Sequence, residues 1–179
     1  MPADVFTIGH STHDLDELVA LLRKHGVDCI ADVRAYPGSR RLPHFNREAL
    51  AVELPQHGIA YEHLPALGGR RRPQPGSPNT GWENASFQAY ADHLESAEFA
   101  EGLAELRGLA EARPTAIMCA EAVWWRCHRR LISDALLVRG HRVLHIVTDG
   151  GLSEHRLTDF AQVEGERLVY PGDPTLFAD

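Results

Sequence analysis

Residues 4–33, DVFTIGHSTHDLDELVALLRKHGVDCIADV, decide the fold class of this chain. The stretch begins with a short β-prone apolar run at residues 4–8. Leucine and valine then recur at helical spacing over residues 14–25, and Gly26 supplies a stop signal. A second apolar run occupies residues 27–33. A strand, a helix and a strand within 30 residues form a βαβ unit, so the two strands are predicted to be parallel.

The rest of the chain continues this alternation of apolar strands and amphipathic helices. Alternation of this kind predicts an α/β protein, specifically a three-layer α/β/α fold with a mostly parallel central sheet of about five strands. We expect a single domain over residues 1–179, with a core at about 4–148 and a C-terminal extension at 149–179. The predicted helices are 46–57, 86–95 (capped by Ser86), 98–112 and 127–139, and the predicted strands are 59–64, 115–119, 142–148 and a short one at 167–170.

Composition excludes several classes of protein. The start of the chain lacks the pattern of a signal peptide, and no apolar run approaches the roughly 18 to 20 residues that span a bilayer. We therefore expect a cytoplasmic protein without a membrane partner. Three cysteines argue against a disulfide framework. A formal net charge of −7 disfavours nucleic acid as a partner, because nucleic-acid binding needs a basic surface.

Polar side chains follow the predicted strands at the point where each strand ends. Right-handed crossovers place the carboxyl ends of parallel strands at one edge of the sheet. Binding sites of α/β proteins lie at that edge. The residues expected there are His10, Ser11, Asp32, Arg34, Tyr61, His63, Cys119, Glu121 and Asp149.

Two cysteines lie near each other in the segment TAIMCAEAVWWRCHRRLISD, residues 115–134. Cys119 is either a small buried residue at a strand end or a reactive thiol. Cys127 lies near a helix start, where backbone amides and neighbouring arginines lower the pKa of a thiol. A third interpretation is a metal site made of Cys119, Glu121, Cys127 and His128, although this spacing matches no standard zinc pattern. Cys29, in the middle of a strand, is interpreted as a core residue.

Other candidates have equally open interpretations. Asp32 and Arg34 form either a structural ion pair or a catalytic acid beside a substrate-binding arginine. His10 is either an acid or base or a helix cap. The long loop at residues 68–85, which begins with Gly68-Gly69 and an arginine triplet, is expected to be mobile or to close over an anionic ligand. Trp124-Trp125 either stack on a ligand ring or pack the loop.

These motifs, taken in order, resemble one known family. GHS after the first strand, DVR before a Pro-Ser-rich loop, Tyr-x-His with Leu-Gly-Gly, and MCAE…CHR with LISD resemble domain of unknown function 488 from about residue 5 to 147. The resemblance implies an α/β three-layer fold and a shared polar site without an established reaction. The site positions that it implies are His10, Ser11, Asp32, Arg34, Tyr61, His63, Gly68, Gly69, Cys119, Glu121, Cys127, His128 and Arg129.

We therefore expect an enzyme that acts on a small anionic, nucleotide-like ligand. Arg34 and Arg129 would bind the anion, Cys119 or Cys127 would be the nucleophile or redox group, and Glu121, Asp32 or His10 the acid or base. The alternative is a non-catalytic module that binds a metal or assists nucleic-acid binding. The sequence requires no cofactor, although a transition metal would be compatible with the thiols. It does not indicate an oligomeric state.

Overall fold

A six-stranded sheet forms the centre of the protein in the computed structural model, which describes residues 2–172. The strand order is β3-β2-β4-β1-β5-β6. All neighbours from β3 to β5 pair in parallel, and only β6 runs antiparallel to its neighbour β5. The strands are β1 (Val5–Gly9), β2 (Cys29–Asp32), β3 (Ala60–His63), β4 (Thr115–Cys119), β5 (Val143–Ile146) and β6 (Leu152–Glu154).

Helices cover both faces of this sheet. One face packs against α1 (Leu15–Lys24) and α2 (Arg47–Gln56), whose buried leucines join Ile30 and Met118 in one apolar cluster. The opposite face packs against α3 (Ala85–His93), α4 (Ala97–Ala112) and α5 (Arg129–Leu137), which bury a second cluster. Successive strand residues point to opposite faces, so each buried strand contributes to both clusters. The predicted three-layer α/β/α fold is confirmed.

Local signals explain where the helices begin. Asp14 caps α1 and forms a capping box with Glu17, as its side chain accepts from the Glu17 N–H at 2.8 Å. The prediction that Ser86 caps α3 is wrong by two residues. Asn84 is the cap, because its Oδ1 accepts from the backbone N–H groups of Ser86 and Phe87. The last helix starts at Arg129 rather than at Cys127, after a short 3₁₀ turn at Trp124–Arg126.

The region after residue 148 contains more structure than predicted. The sequence showed no signal for β6, which has only three residues and mostly exposed side chains. The predicted strand at 167–170 is present as β8 (Arg167–Val169), but it pairs with β7 (Gln162–Glu164) in a separate two-stranded sheet. Leu168 and Tyr170 are buried in the second apolar cluster. Part of the predicted C-terminal extension, residues 173–179, lies outside the described residues.

None of the helices within residues 2–172 combines the length and the apolar composition needed to cross a membrane.

Candidate active site at the carboxyl edge of the sheet

A cleft of about 460 Å³ opens at the carboxyl ends of β2 and β4. Its wall comes from four segments of the chain: the loop after β2, the start of the long loop after β3, the beginning of α3, and the segment between β4 and α5. The lining residues are Arg34, Ala35, Tyr36, Gly69, Arg70, Asn84, Ser86, Phe87, Cys119, Ala120, Glu121, Arg126, Cys127 and His128.

The two thiols of the predicted site touch each other at this cleft. Cys119 Sγ and Cys127 Sγ are 2.7 Å apart, and both residues are more than nine-tenths buried. The Cys127 sulfur also accepts from the Arg129 backbone N–H at 3.4 Å, at the N-terminus of α5. The Glu121 carbonyl oxygen, 3.7 Å from Cys119 Sγ, is an alternative acceptor for the single hydrogen of the Cys119 thiol. The pair therefore shares one environment in which hydrogen-bond donors converge on Cys127.

The two cysteines are driven to opposite protonation states. Burial raises the pKa of Cys119 well above its ordinary value, and a neighbouring Cys127 thiolate raises it further. Burial alone would also raise the pKa of Cys127, but that pKa is held well below its ordinary value. The Cys119 thiol donates to Cys127, and His128 and Arg129 provide positive charge beside it. The structure therefore favours Cys127 as the thiolate and Cys119 as the protonated thiol.

His128 is oriented toward the thiolate by contacts on both sides of its ring. Its Nε2–H donates to the Val33 carbonyl oxygen at 2.7 Å, which leaves Nδ1 facing Cys127 Sγ at 3.5 Å. Because a carbonyl only accepts, Nε2 carries a hydrogen, and Nδ1 is the ring atom that can exchange a proton with Cys127. The ring packs against Gly69, where an added Cβ would lie 2.7 Å from Nδ1.

Arg129 lies beneath the cleft and does not line it. The residue is 1% exposed, and its Nη2–H group donates to the Glu121 carbonyl oxygen at 2.5 Å. Its Nη1–H donates to Thr7 Oγ1 at 3.3 Å, and its Nε–H has no acceptor among the described residues. The sequence predicts that Arg129 binds the anion. In the structure its guanidinium is buried, where it holds the loop that contains Glu121 and lowers the pKa of Cys127. The Glu121 carboxylate is exposed and accepts from the Val123 N–H at 3.2 Å.

Asp32, Arg34 and Tyr61 form a buried, saturated cluster beside the cleft. Asp32 Oδ1 accepts from Arg34 N and Nε at 3.1 and 2.9 Å, and Oδ2 accepts from Arg34 Nη2 at 2.6 Å and Tyr61 Oη at 2.5 Å. Asp32 is fully buried. Burial raises the pKa of the Tyr61 phenol, and the Asp32 charge raises it further. This geometry favours the ion-pair interpretation of Asp32 over that of a catalytic acid.

His10 contacts the far side of the Arg34 guanidinium. Its Nε2 lies 3.3 Å from Arg34 Nη1, and its ring stacks on Phe45. Burial lowers the pKa of His10 to about 4 despite a backbone hydrogen bond to Ser11, and the Arg34 charge lowers it further. The ring is therefore neutral near pH 7, and it is not among the lining residues of the cleft.

The remaining predicted residues support the loops around the cleft. His63 Nε2 lies 2.8 Å from the Arg34 carbonyl oxygen. Gly68 packs closely on Ala35, since a Cβ added at Gly68 would lie 2.8 Å from Ala35 Cα. The Ser11 N–H donates to the Ala120 carbonyl oxygen at 3.0 Å, joining the end of β1 to the thiol segment.

Three arginines and two aromatic rings give the cleft its character. Arg34, Arg70 and Arg126 are cationic lining residues, and the Arg70 guanidinium carbon lies 5.3 Å from the centre of the Tyr36 ring. Phe87 supplies an apolar wall. The sequence pointed to Arg70 only as part of an arginine triplet. It gave no signal for Phe87 or Tyr36, because they lie on elements distant in sequence from the thiols.

The predicted metal set does not gather into a ligand cluster. Within residues 2–172, no group of three or more His, Cys, Asp or Glu side chains has an arrangement suited to a metal ion. The Cys119 and Cys127 sulfur atoms contact each other, and the Glu121 carboxylate accepts a hydrogen bond from the Val123 N–H.

A buried chain of hydrogen bonds, absent from the sequence-based prediction, runs from Arg129 to Asp134. Thr7 Oγ1 is 2.6 Å from His145 Nδ1, His145 Nε2 is 2.9 Å from His155 Nδ1, and His155 Nε2 is 2.7 Å from Asp134 Oδ1. Tyr170 Oη donates to the other Asp134 oxygen at 2.8 Å. Burial lowers the pKa of His145 to about 2, and the His155 and Arg129 charges lower it further. The chain thus reaches the back of the thiol segment with a neutral His145 ring.

Trp124 covers this chain. Its ring stacks on His145 with a centroid distance of 4.1 Å and an interplanar angle of 4°. Of the two interpretations given to the tryptophan pair, packing of the loop therefore describes Trp124, whereas Trp125 is half-exposed.

A family model covers most of this architecture. The model described as "Domain of unknown function DUF488" matches residues 14–136, from the cap of α1 to the last turn of α5. The chain belongs to this DUF488 family. The matched region includes Asp32, Arg34 and the thiol segment, whereas His10, Ser11 and the histidines of the buried chain lie outside it. Neither the curated proteins nor the solved structures contain a significant match.

Proposed function

We propose that this DUF488 protein is a thiol-dependent enzyme in which Cys127 attacks a small anionic ligand held in the cleft. The observation that carries the proposal is the convergence of three groups on the Cys127 sulfur: the Cys119 thiol, the Arg129 backbone N–H and His128 Nδ1. A sulfur in such surroundings is a thiolate near neutral pH, and the thiolate is the nucleophilic form of cysteine.

His128 is the group that handles the proton. The Cys127 proton passes to Nδ1, which lies 3.5 Å from the sulfur. The sulfur electron pair then forms a bond to the electrophilic atom of the ligand. The bond to the leaving group breaks with its own electron pair, and the leaving group takes the proton back from Nδ1. The Val33 carbonyl holds the ring in place during both transfers.

The charge of the cleft wall defines the ligand class. Arg34 is committed to Asp32, but Arg70 and Arg126 present guanidinium groups without a carboxylate within salt-bridge distance among the described residues. Arginines bind carboxylate and phosphate groups through paired hydrogen bonds. Phe87 and Tyr36 favour a ligand with a flat or apolar portion. A nucleotide meets this description, as does any compact organic anion with such a portion.

Alkylation tests the proposal. At about pH 6 an ordinary thiol with a pKa of about 8.5 is almost entirely protonated. We expect iodoacetamide to label Cys127 at this pH on the order of tenfold faster than Cys119 or Cys29, because each pKa unit changes the thiolate fraction about tenfold. Peptide mass spectrometry reports the labelled residue, and Cys29→Ala is the matched control, since Cys29 lies in the core away from the cleft.

Protection by anions tests the second half of the proposal. Inorganic phosphate and adenosine monophosphate, used as probes, should slow the labelling of Cys127, and Arg70→Ala together with Arg126→Ala should remove this protection. Labelling that rises with pH as for an ordinary thiol, or that neither anion slows, would contradict the proposal.

A further inference from the structure

We infer that Cys127 and Cys119 act together as a dithiol that reduces the sulfur–sulfur bond of an anionic disulfide, an inference that rests on the proposed function. Two observations carry it. The two sulfur atoms are 2.7 Å apart, and both cysteines line the same cleft. No other thiol of the chain is placed in this way, since Cys29 is a core residue in β2.

The reaction has two balanced steps. The Cys127 thiolate attacks one sulfur of the ligand disulfide, forming a mixed disulfide and releasing the first ligand thiolate, which takes the proton held by His128. The Cys119 sulfur then attacks Cys127 Sγ and displaces the second ligand thiolate, which takes the Cys119 proton. The ligand disulfide gains two electrons and two protons and becomes two thiols, and the protein becomes a Cys119–Cys127 disulfide. A small dithiol reductant restores the starting state by the same exchange.

The order of attack follows from the surroundings of each sulfur. Cys127 accepts hydrogen bonds from the Arg129 N–H and faces His128, so it is the thiolate that attacks first. Cys119 is the protonated partner, and its thiol points at the sulfur that it must attack in the second step. The segment between Cys119 and Cys127 begins at the end of β4 and includes a 3₁₀ turn. The structural change that accompanies disulfide formation is therefore confined to one loop.

The second thiol distinguishes sulfur–sulfur chemistry from other uses of Cys127. If the bound group were an acyl or phosphoryl group, a water molecule would have to release it, and a thiol in contact with Cys127 Sγ would have no part in that step. When the bound group is a sulfur, the neighbouring thiol is the group that releases it. The arginines on the wall then select disulfides that carry carboxylate or phosphate groups. A peroxide is small and uncharged and would need neither the arginines nor the volume of the cleft.

The test uses the reduced, desalted full-length protein with two probes of opposite charge. Oxidised glutathione is an anionic disulfide, and cystamine is a cationic one. With oxidised glutathione we expect a Cys119–Cys127 disulfide in the peptide map and two equivalents of reduced glutathione. Cystamine should react roughly tenfold more slowly or worse, because the field of the cleft repels it. Dithiothreitol should return the protein to the dithiol form.

Variants assign the steps. Cys119→Ser should stop at a mixed disulfide on Cys127, Cys127→Ser should form no adduct, and Cys29→Ala should behave as the unmodified protein. Arg70→Ala with Arg126→Ala should slow the reaction with oxidised glutathione and not that with cystamine. The peptide map of the unmodified protein gives an answer that does not depend on any variant folding.

The outcomes separate this inference from the proposed function. A mixed disulfide on Cys127 that persists in the unmodified protein would overturn the inference and leave the nucleophilic role of Cys127 intact. Equal rates with the two probes would overturn the anionic substrate class. A Cys127 that reacts with neither oxidised glutathione nor iodoacetamide would overturn both proposals.

Discussion

Replacement of Asp32 by asparagine is the sharpest test of the cluster beside the cleft. Each Asp32 oxygen accepts two hydrogen bonds, Oδ1 from Arg34 N and Nε and Oδ2 from Arg34 Nη2 and Tyr61 Oη. An asparagine has one oxygen and one NH₂ group. In either orientation of the amide, two donors therefore lose their acceptor and face another donor.

The loss of charge adds to the loss of hydrogen bonds. The Arg34 side chain is only 11% exposed, so Asp32→Asn leaves a largely buried guanidinium without its counter-charge. Removal of one partner of a buried pair costs about 3–5 kcal/mol of unfolding free energy. For a chain of 150–250 residues each kcal/mol changes Tm by about 2–4 °C, which predicts a decrease of about 6–20 °C.

Thermal and urea unfolding, followed by circular dichroism, measure this effect. Tyr61→Phe removes only one hydrogen bond to the carboxylate and should cost about 1.5–3 kcal/mol. The double variant Asp32→Asn with Arg34→Met removes both charges and should recover part of the loss, because no buried charge is then left alone. An Asp32→Asn protein with unchanged Tm would refute the structural role and would return Asp32 to the candidates for a catalytic acid.

Gly69 and two buried histidines give two other predictions. Gly69→Ala places a Cβ 2.7 Å from His128 Nδ1, so the His128 ring must move. The rate of Cys127 alkylation at about pH 6 should then fall on the order of tenfold. Gly38→Ala is the control, because an added Cβ there has no atom within 4 Å, and an unchanged rate in Gly69→Ala would contradict the role of the contact between Gly69 and His128. Folding lowers the pKa of His10 to about 4 and that of His145 to about 2. Below about pH 6.5 the unfolded chain therefore binds more protons than the folded protein. Acidification from pH 7 to pH 5 should decrease the free energy of unfolding, measured with urea, by about 3–4 kcal/mol. A stability that is flat over this range would show that the two rings are not held neutral.

The fold could be predicted because its signals are local. The βαβ stretch at 4–33 contains apolar runs, helical spacing and a capping box within one short segment. The short strands β6 and β7 could not be predicted, since they have three residues each and mostly exposed side chains. Pairing with a neighbour, rather than any local pattern, makes them strands.

The candidate site, like the fold, was predictable only where its signals are local in sequence. Cys119 and Cys127 are close in sequence, and their strand-end and helix-start positions indicated a shared site. The burial of Arg129 was not predictable, because neighbouring arginines in a helix differ only in the direction that each faces. The aromatic wall of the cleft comes from Tyr36 and Phe87, which tertiary packing alone brings to the thiols.

The chain from Arg129 to Asp134 restricts which residues can replace its members. A guanidinium only donates hydrogen bonds and a carboxylate only accepts them, so the ends fix one direction for every hydrogen between them. Thr7, His145 and His155 must each accept on one side and donate on the other. A valine in place of Thr7 would match its shape, but it has no hydroxyl group to accept from Arg129 and donate to His145, so the hydrogen-bond chain would be interrupted. A substitution at Thr7, His145 or His155 during evolution must therefore introduce a side chain that can both donate and accept a hydrogen bond. Each such substitution also restricts which residues are compatible at the neighbouring position of the hydrogen-bond chain.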